Sequence, residues 1–302
     1  MQPRTEGATF SFVIGMINAT RKSVWPALEP LTPRGVAAYA YAPFGRLLAT
    51  QLIVALVSAA AIVWFFKTGW CPVVREAIRQ LPDGTQVQDQ RLAWKGAAPL
   101  LLAENQFLAL TMDPEKARTL GTIADVRVQI QKQEITICSL FGCCFFAYPK
   151  GWSVALDRTN LEPWWGAREF AILAAAAIAT MLALILGWAV LATIYFAIVY
   201  LIAYVLNRDL TWGGGWRLAA AALIPGALFL TLGIVIYGLQ GIGLVRLVMV
   251  FLLHFLIGWI YIFLAPVFLA RADSVQALGR NPFGAPDESQ SEKPGNPFSG
   301  RR

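Results

Sequence analysis

Phe170 to Leu206 reads FAILAAAAIATMLALILGWAVLATIYFAIVYLIAYVL, 37 residues without one Asp, Glu, Lys or Arg. A helix needs about 20 apolar residues to cross a bilayer, and two crossings need about 40 plus a turn. The stretch is too long for one level span and too short for two. It predicts a single long transmembrane helix over 169–206, with Gly187-Trp188 as the place for a bend.

Toward the C-terminus the apolar pattern recurs. Residues 207–216 form a short loop with Arg208 and the run Trp212-Gly213-Gly214-Gly215-Trp216, which suits a membrane interface. A third span is expected at 217–238, an uncharged turn at 239–243, and a last span at 247–269. Pro225 and Pro266 fall inside these spans, where each removes a backbone donor and bends the helix. Residues 270–302 are rich in Pro, Gly, Ser and Glu and read as a disordered tail.

Toward the N-terminus, residues 67–168 mix Lys/Arg with Asp/Glu, so this block is a domain in water. Val73, Val74, Ile78 and Leu81 share a helical face, and Pro82-Asp83-Gly84 makes a turn. Val126, Val128 and Ile130 alternate with Arg127, Gln129 and Gln131, the period of a half-buried strand. Gln131–Glu134 then turns it back into 135–146 as a hairpin. Residues 47–66 form the first span, bracketed by Arg46 and Lys67. Residues 1–46 form a leader, with a short apolar run at 10–17 that suits an interfacial helix and with breakers at Pro26, Pro30, Pro33 and Pro43. It holds no apolar core followed by a small-residue cleavage site, so no signal peptide is expected.

The fold class is therefore an α-helical integral membrane protein of about four transmembrane helices, with a small extracytoplasmic α+β domain between the first and second. Composition agrees: 57% of the 302 residues are hydrophobic and only 14% charged, against roughly 25% charged in ordinary soluble domains. The net charge of +7 lacks the basic patch with interleaved aromatics that nucleic acid requires, so the bilayer is the partner and nucleic acid is excluded. Basic residues crowd the leader, the 207–217 loop and the tail and are absent from the 239–243 turn. Positive-inside counting puts both termini in the cytoplasm. The excess of Arg over Lys hints at a bacterium, and hence at the inner membrane.

Ionisable groups inside a bilayer mark function by default, and the spans contain no Asp, Glu or Lys. His254 is the one histidine. It reads either as a proton- or ligand-facing group or as a neutral ring bonded to another helix. Thr193, Tyr200 and Tyr204 share a helix face and read as its candidate partners, as the lining of a polar groove, or as plain interhelical hydrogen bonding, the commoner case. Ala171, Ala175, Ala179, Ala183 and Gly187 recur every fourth residue. Such a ridge of small side chains lets another helix approach, within the bundle or across a dimer. In the tail, Asn281-Pro282-Phe283 and Asn296-Pro297-Phe298 are two turn-forming tripeptides that resemble EH-domain ligands of eukaryotic trafficking proteins.

Cys71, Cys138, Cys143 and Cys144 all lie in the block assigned outside, where an oxidising compartment favours disulfides. A zinc site fits poorly, because the gaps are 66, 4 and 0 residues rather than two to four within each ligand pair. Four cysteines allow three connectivities. A bond between adjacent Cys143 and Cys144 is strained, so the remaining two tie Cys71 to Cys143 or Cys144. That tie closes a loop of roughly 70 residues, worth about 4 kcal/mol. The second bond, from Cys138 to either neighbour, pins the Ser139–Gly142 turn.

An N-terminal segment with Phe10, Phe12, Ile17 and Trp25-Pro26 precedes a single span. An extracytoplasmic α+β module and a three-span bundle carrying Leu223-Ile224-Pro225-Gly226 follow. This layout is similar to a bacterial family of Yip-like membrane proteins of unknown function, some encoded near maltodextrin-utilisation genes. The resemblance implies the architecture and carries over no catalytic residue; the four cysteines and the long tail depart from it.

No enzyme constellation is present. The outer block has no histidine to pair with Ser or Cys, and no phosphate loop, dinucleotide fingerprint or HExxH occurs. No cofactor or metal is expected. The favoured function is non-enzymatic: an outer domain that senses or binds at the envelope, with the bundle as anchor and assembly platform. Alternatives are an accessory or channel-like subunit for small-molecule or lipid passage, and an organiser of membrane traffic docked through its tail.

Overall fold

The computed structural model describes residues 30–94, 96, 98–114 and 123–272. The apolar run at 10–17 and both Asn-Pro-Phe tripeptides lie outside the described residues. Helix α1 (Pro33–Ala38) starts at Thr32, whose side chain accepts from the Gly35 N–H. Helix α2 (Phe44–Phe65) continues through a wide turn, Phe66–Trp70, into α3 (Cys71–Arg79). Strands β1 (Gln86–Gln88), β2 (Arg91–Ala93), β3 (Leu100–Glu104), β4 (Leu108–Met112), β5 (Val126–Ile130), β6 (Glu134–Ser139), β7 (Gly142–Ala147) and β8 (Ser153–Ala155) follow. Then come α4 (Arg158–Val205), α5 (Trp212–Ala222), α6 (Ile224–Gly238), α7 (Leu244–Leu264) and a 3₁₀ turn, Ala265–Phe268.

Four helical stretches are long and apolar enough to cross a membrane: 44–79, 158–205, 212–238 and 244–268. The second is one unbroken helix of 48 residues, about 72 Å at 1.5 Å per residue. Its charged first turns, capped by Asp157, lie against α3, and its apolar remainder joins the bundle. The third stretch breaks at Leu223, and Pro225 sits in the first turn of α6, where a missing N–H costs nothing.

The Trp-Gly-Gly-Gly-Trp run is a helix start, not a loop. Thr211 caps α5 by accepting from Gly214. A side chain at Gly214 would stand 2.9 Å from the Ala40 carbonyl oxygen, and one at Gly215 would stand 3.2 Å from the Phe196 ring. The glycines serve close packing rather than flexibility.

The β-domain has two sheets. One has the order β2-β1-β8; the other has the order β3-β4-β5-β6-β7, with β4 and β5 parallel and every other pair antiparallel. The turn expected at 131–134 joins β5 to β6. The expected second strand folds back once more at 139–142, giving β6 and β7.

The domain core gathers Ala77 and Leu81 with Val87, Leu92, Leu102, Met112 and Tyr148. The Tyr148 hydroxyl donates to the Gln131 carbonyl at 2.8 Å, and burial pushes its pKa up to about 12. A raised folded pKa means the neutral phenol is the stabilised form. That stability is fully present below about pH 10, the unfolded value, and is lost as pH rises toward about 12. Tyr148→Phe should cost about 1–2 kcal/mol by orphaning the carbonyl. It should also remove this alkaline sensitivity, read as the pH dependence of domain unfolding by near-UV circular dichroism.

At the far end of the bundle the chain ties itself together. The Tyr41 hydroxyl donates to the Asp209 carbonyl at 2.9 Å, and the Asp209 N–H donates to Ala270 at 2.9 Å. Arg217 donates to the Ala40 carbonyl and Arg208 to the Leu269 carbonyl, each at 2.7 Å. Tyr261 donates to the Leu31 carbonyl. Residues 30–43, 207–211 and 269–272 thus share one end of the bundle, and the β-domain occupies the other.

Candidate functional site

The β-domain meets the bundle at a clasp built from residues far apart in sequence. Phe65 at the end of α2, Phe107 beside β4 and Tyr237 in the last turn of α6 form a triangle of rings. Their centroids are 5.2 Å (Phe65–Phe107), 5.3 Å (Phe65–Tyr237) and 4.9 Å (Phe107–Tyr237) apart. The Tyr237 hydroxyl donates to the Asp125 carboxylate at 2.7 Å. A charge-assisted bond of this kind is about twice as strong as a neutral one.

Asn105 completes the clasp. Its amide donates to the Gly69 carbonyl at 2.6 Å, and its own oxygen accepts from the Phe107 and Leu108 N–H groups at 2.9 Å each. Gly69 leaves little spare room here, since a side chain would stand 3.1 Å from the Phe107 ring and 3.3 Å from the Phe65 ring.

A second contact lies between α3 and the start of α4. Arg75 reaches the Glu169 carboxylate through Nε at 3.0 Å and Nη2 at 2.5 and 2.7 Å. Trp165 Nε1 donates to the same carboxylate at 3.1 Å. Arg79 lies 3.7 Å from Glu162. The forked geometry makes the Arg75 pair directional, although its arginine is half exposed and such pairs add little net stability.

Of these residues the sequence reading singled out none. Asp125 and Tyr237 are 112 positions apart, and neither sits in a local motif. A Tyr closing an apolar span is the only signal that was there to find.

Of the two expected disulfides, the one from Cys138 to a neighbour forms and the one from Cys71 does not. Cys138 bonds to Cys143, while Cys71 is a buried thiol and Cys144 an exposed one. The register decides this. Cys138 and Cys143 stand directly opposite across β6 and β7, with Cα atoms 4.1 Å apart. Cys71 instead opens α3 with its side chain in the interior. The clamp from Cys71 to the far hairpin does not form. The bond that does form pins the Ser139–Gly142 turn, a short loop worth nearer 2 than 4 kcal/mol.

The ridge on α4 also lies elsewhere than expected. Ala171, Ala175, Ala179 and Ala183 are exposed and Gly187 is half-buried, and a side chain at Gly187 would meet nothing within 4 Å. The face that packs is Trp188, Ala192, Tyr195, Val199 and Ala203. The cause is position: α2 and α5 bury this second half of α4, leaving the ridge outward within the chain.

His254 does not meet Thr193, Tyr200 or Tyr204. Its Nδ1 contacts the Phe251 carbonyl of its own helix, and its ring lies against Phe251 and Phe255. Thr193 donates to Ala189 and accepts from Trp216 Nε1 at 3.2 Å. Tyr200 packs on Phe196 and Trp212, and Tyr204 is exposed. His254 instead borders a cavity of about 110 Å³ with Ser58, Thr180, Trp188 and Thr231.

Ser58 and Thr231 approach to 2.7 Å, and each can also donate to the carbonyl four residues earlier. Two protons serve three such bonds, so one hydroxyl must choose between its own helix and its neighbour. The pair links α2 to α6 within a largely apolar bundle interior.

Among the described residues no group of three or more His, Cys, Asp or Glu side chains is placed to hold a metal ion. No family model matches the chain, and no curated protein or solved structure matches it.

Proposed function

We propose that this chain is a non-enzymatic, multi-pass protein of a cell inner membrane. Both termini are cytoplasmic. The β-domain projects outside, binds a protein partner at the envelope, and passes that binding to the bundle. The clasp of Tyr237, Asp125, Phe65 and Phe107 carries this reading, because it joins the domain to two separate spans by oriented contacts. A tether serving only as an anchor has no need of them.

The binding surface is the β6–β7 hairpin. β7 is exposed along its length and forms one edge of its sheet. It carries Phe145 and Phe146, 63% and 55% exposed. An open edge with large apolar side chains is the form of surface to which a partner adds a strand.

The bundle interior favours this reading over a channel-like subunit. Leu218 to Ala222 are fully buried, and the cavity beside His254 is small and mainly apolar. The tail-docking alternative rests on residues outside the described ones. On layout we place the chain beside the Yip-like proteins.

A photo-reactive residue at Phe145 or Phe146, in the full chain in its own membrane, tests the proposal. One discrete cross-linked protein is expected from these positions, and none from Gln88, an exposed residue at the end of the central strand of the other sheet. Equal labelling from all three positions, or none from β7, would overturn it.

A further inference from the structure

The tip of the β6–β7 hairpin reaches the bundle. Phe141, 77% exposed, roofs a groove of about 490 Å³ that runs between Leu230 and Ile234 of α6 and Leu244, Leu247 and Val248 of α7. Phe251 and Leu252 close its far end. Leu244 to Phe251 is seven residues, so the groove extends roughly 10 Å along α7. Every residue lining it is apolar.

A second recess of about 250 Å³ adjoins the groove and shares Leu244 with it. Its wall includes Asp125, Arg127 and Ser139. The two together have the shape of an amphiphile: an apolar slot ending at a pocket that carries one carboxylate and one guanidinium.

We propose that the groove holds one acyl chain of a zwitterionic glycerophospholipid from the leaflet on the β-domain side, with the head group in the recess. Three observations select this occupant. Both walls of the groove belong to helices long and apolar enough to cross a membrane, so the medium beside it is acyl chain. The volume falls within the roughly 300–1,000 Å³ of ligand sites. The opposite charges of Asp125 and Arg127 complement the ammonium and phosphate of such a head group.

The hairpin makes the site more than a crevice between helices. The Cys138–Cys143 bond closes its turn, which holds Leu140 and Phe141 as a roof over the slot. Leu140 lines the recess and Phe141 the groove. The same turn therefore touches both parts of the lipid. Asp125, on the recess wall, is also the acceptor for Tyr237, so the head group would sit beside the clasp.

The test is native mass spectrometry of the full chain in mild detergent, offered palmitoyl-oleoyl phosphatidylethanolamine. One lipid per chain should survive detergent exchange. Leu247→Trp, which fills the slot, should lower retention about tenfold, equivalent to 1.4 kcal/mol, with the thermal unfolding midpoint unchanged. Phe141→Ala, at an exposed side chain, should also speed lipid loss, and it decides the matter should the tryptophan variant misfold. Retention unaffected by Phe141→Ala, or by a folded Leu247→Trp, would mark the lipid as annular and overturn the site. Palmitate competing as well as the phospholipid would overturn the role of the recess. Displacement by a co-purifying protein in place of lipid would assign the groove to a partner helix and overturn the proposal.

Discussion

Tyr237→Ala is expected to release the β-domain from the bundle while leaving each part folded. The substitution removes a buried ring from the triangle with Phe65 and Phe107 and orphans the Asp125 carboxylate. Truncating a buried aromatic costs about 3–5 kcal/mol, and the lost charge-assisted bond is part of that sum. The loss should appear first where the clasp is anchored. Asp125 N–H donates to Gln106 and Val126 N–H to Phe107, so these amides should exchange with solvent much faster, while Tyr148 keeps its protected environment.

Tyr237→Phe separates the two contributions. It keeps the rings and removes only the hydroxyl, for about 1.5–3 kcal/mol. Combined with Asp125→Asn, it should show a coupling of at least about 0.5 kcal/mol, since the two groups touch. Unchanged exchange at the Asp125 and Val126 amides in the alanine variant would show that the clasp does not hold the domain.

Gly226→Leu is expected to be the most damaging single change in the bundle. A side chain at Gly226 would fall inside contact distance of the His254 carbonyl oxygen, a backbone atom that cannot swing away. One turn pair further along, a side chain at Gly233 would stand 2.5 Å from Val250 Cγ1. Gly258 faces Leu223 at 3.4 Å. The α6–α7 contact is therefore a seam in which backbones approach because the side chains are absent.

Over-packing typically costs 1–3 kcal/mol, and more where nothing can yield, so a loss of about 3 kcal/mol or greater is expected. Thermal unfolding in detergent measures it. Gly187→Leu is the matched control: it places the same side chain on another apolar helix where nothing lies within 4 Å, and its unfolding midpoint should stay near that of the unaltered protein. Similar losses in both variants would mean that glycine itself, not the seam, sets the effect.

The contrast between those two glycines shows where the sequence stops being informative. In water an amphipathic helix announces its buried face, because burial separates apolar from polar side chains. Beside lipid, acyl chains are as apolar as leucine, and the face that packs need not differ from the face that does not. Ala171, Ala175, Ala179, Ala183 and Gly187 have the spacing of a packing ridge yet point outward. Gly226 and Gly233, seven apart on a shorter helix, are the ones that meet a neighbour. His254 shows the same limit, since its place beside Ser58 and Thr231 depends on how three helices come together.

What the sequence alone determined is what depends on neighbours along the chain. Four apolar stretches of sufficient length, the single long helix through 170–206, the mixed-charge block at 67–168 and the reversal at 131–134 all follow from local length and period. Tertiary structure alone decided the rest. It placed Cys138 opposite Cys143 by strand register and buried the side chain of Cys71 at the start of α3. It closed the Tyr237–Asp125 clasp across 112 residues and set the hairpin tip over the groove between α6 and α7. Each of these is a meeting of distant segments, and no periodicity within either segment specifies which partner it meets. That choice is made by the shape of the packed chain, where a glycine, a ring or a carboxylate gains its role only from what stands opposite it.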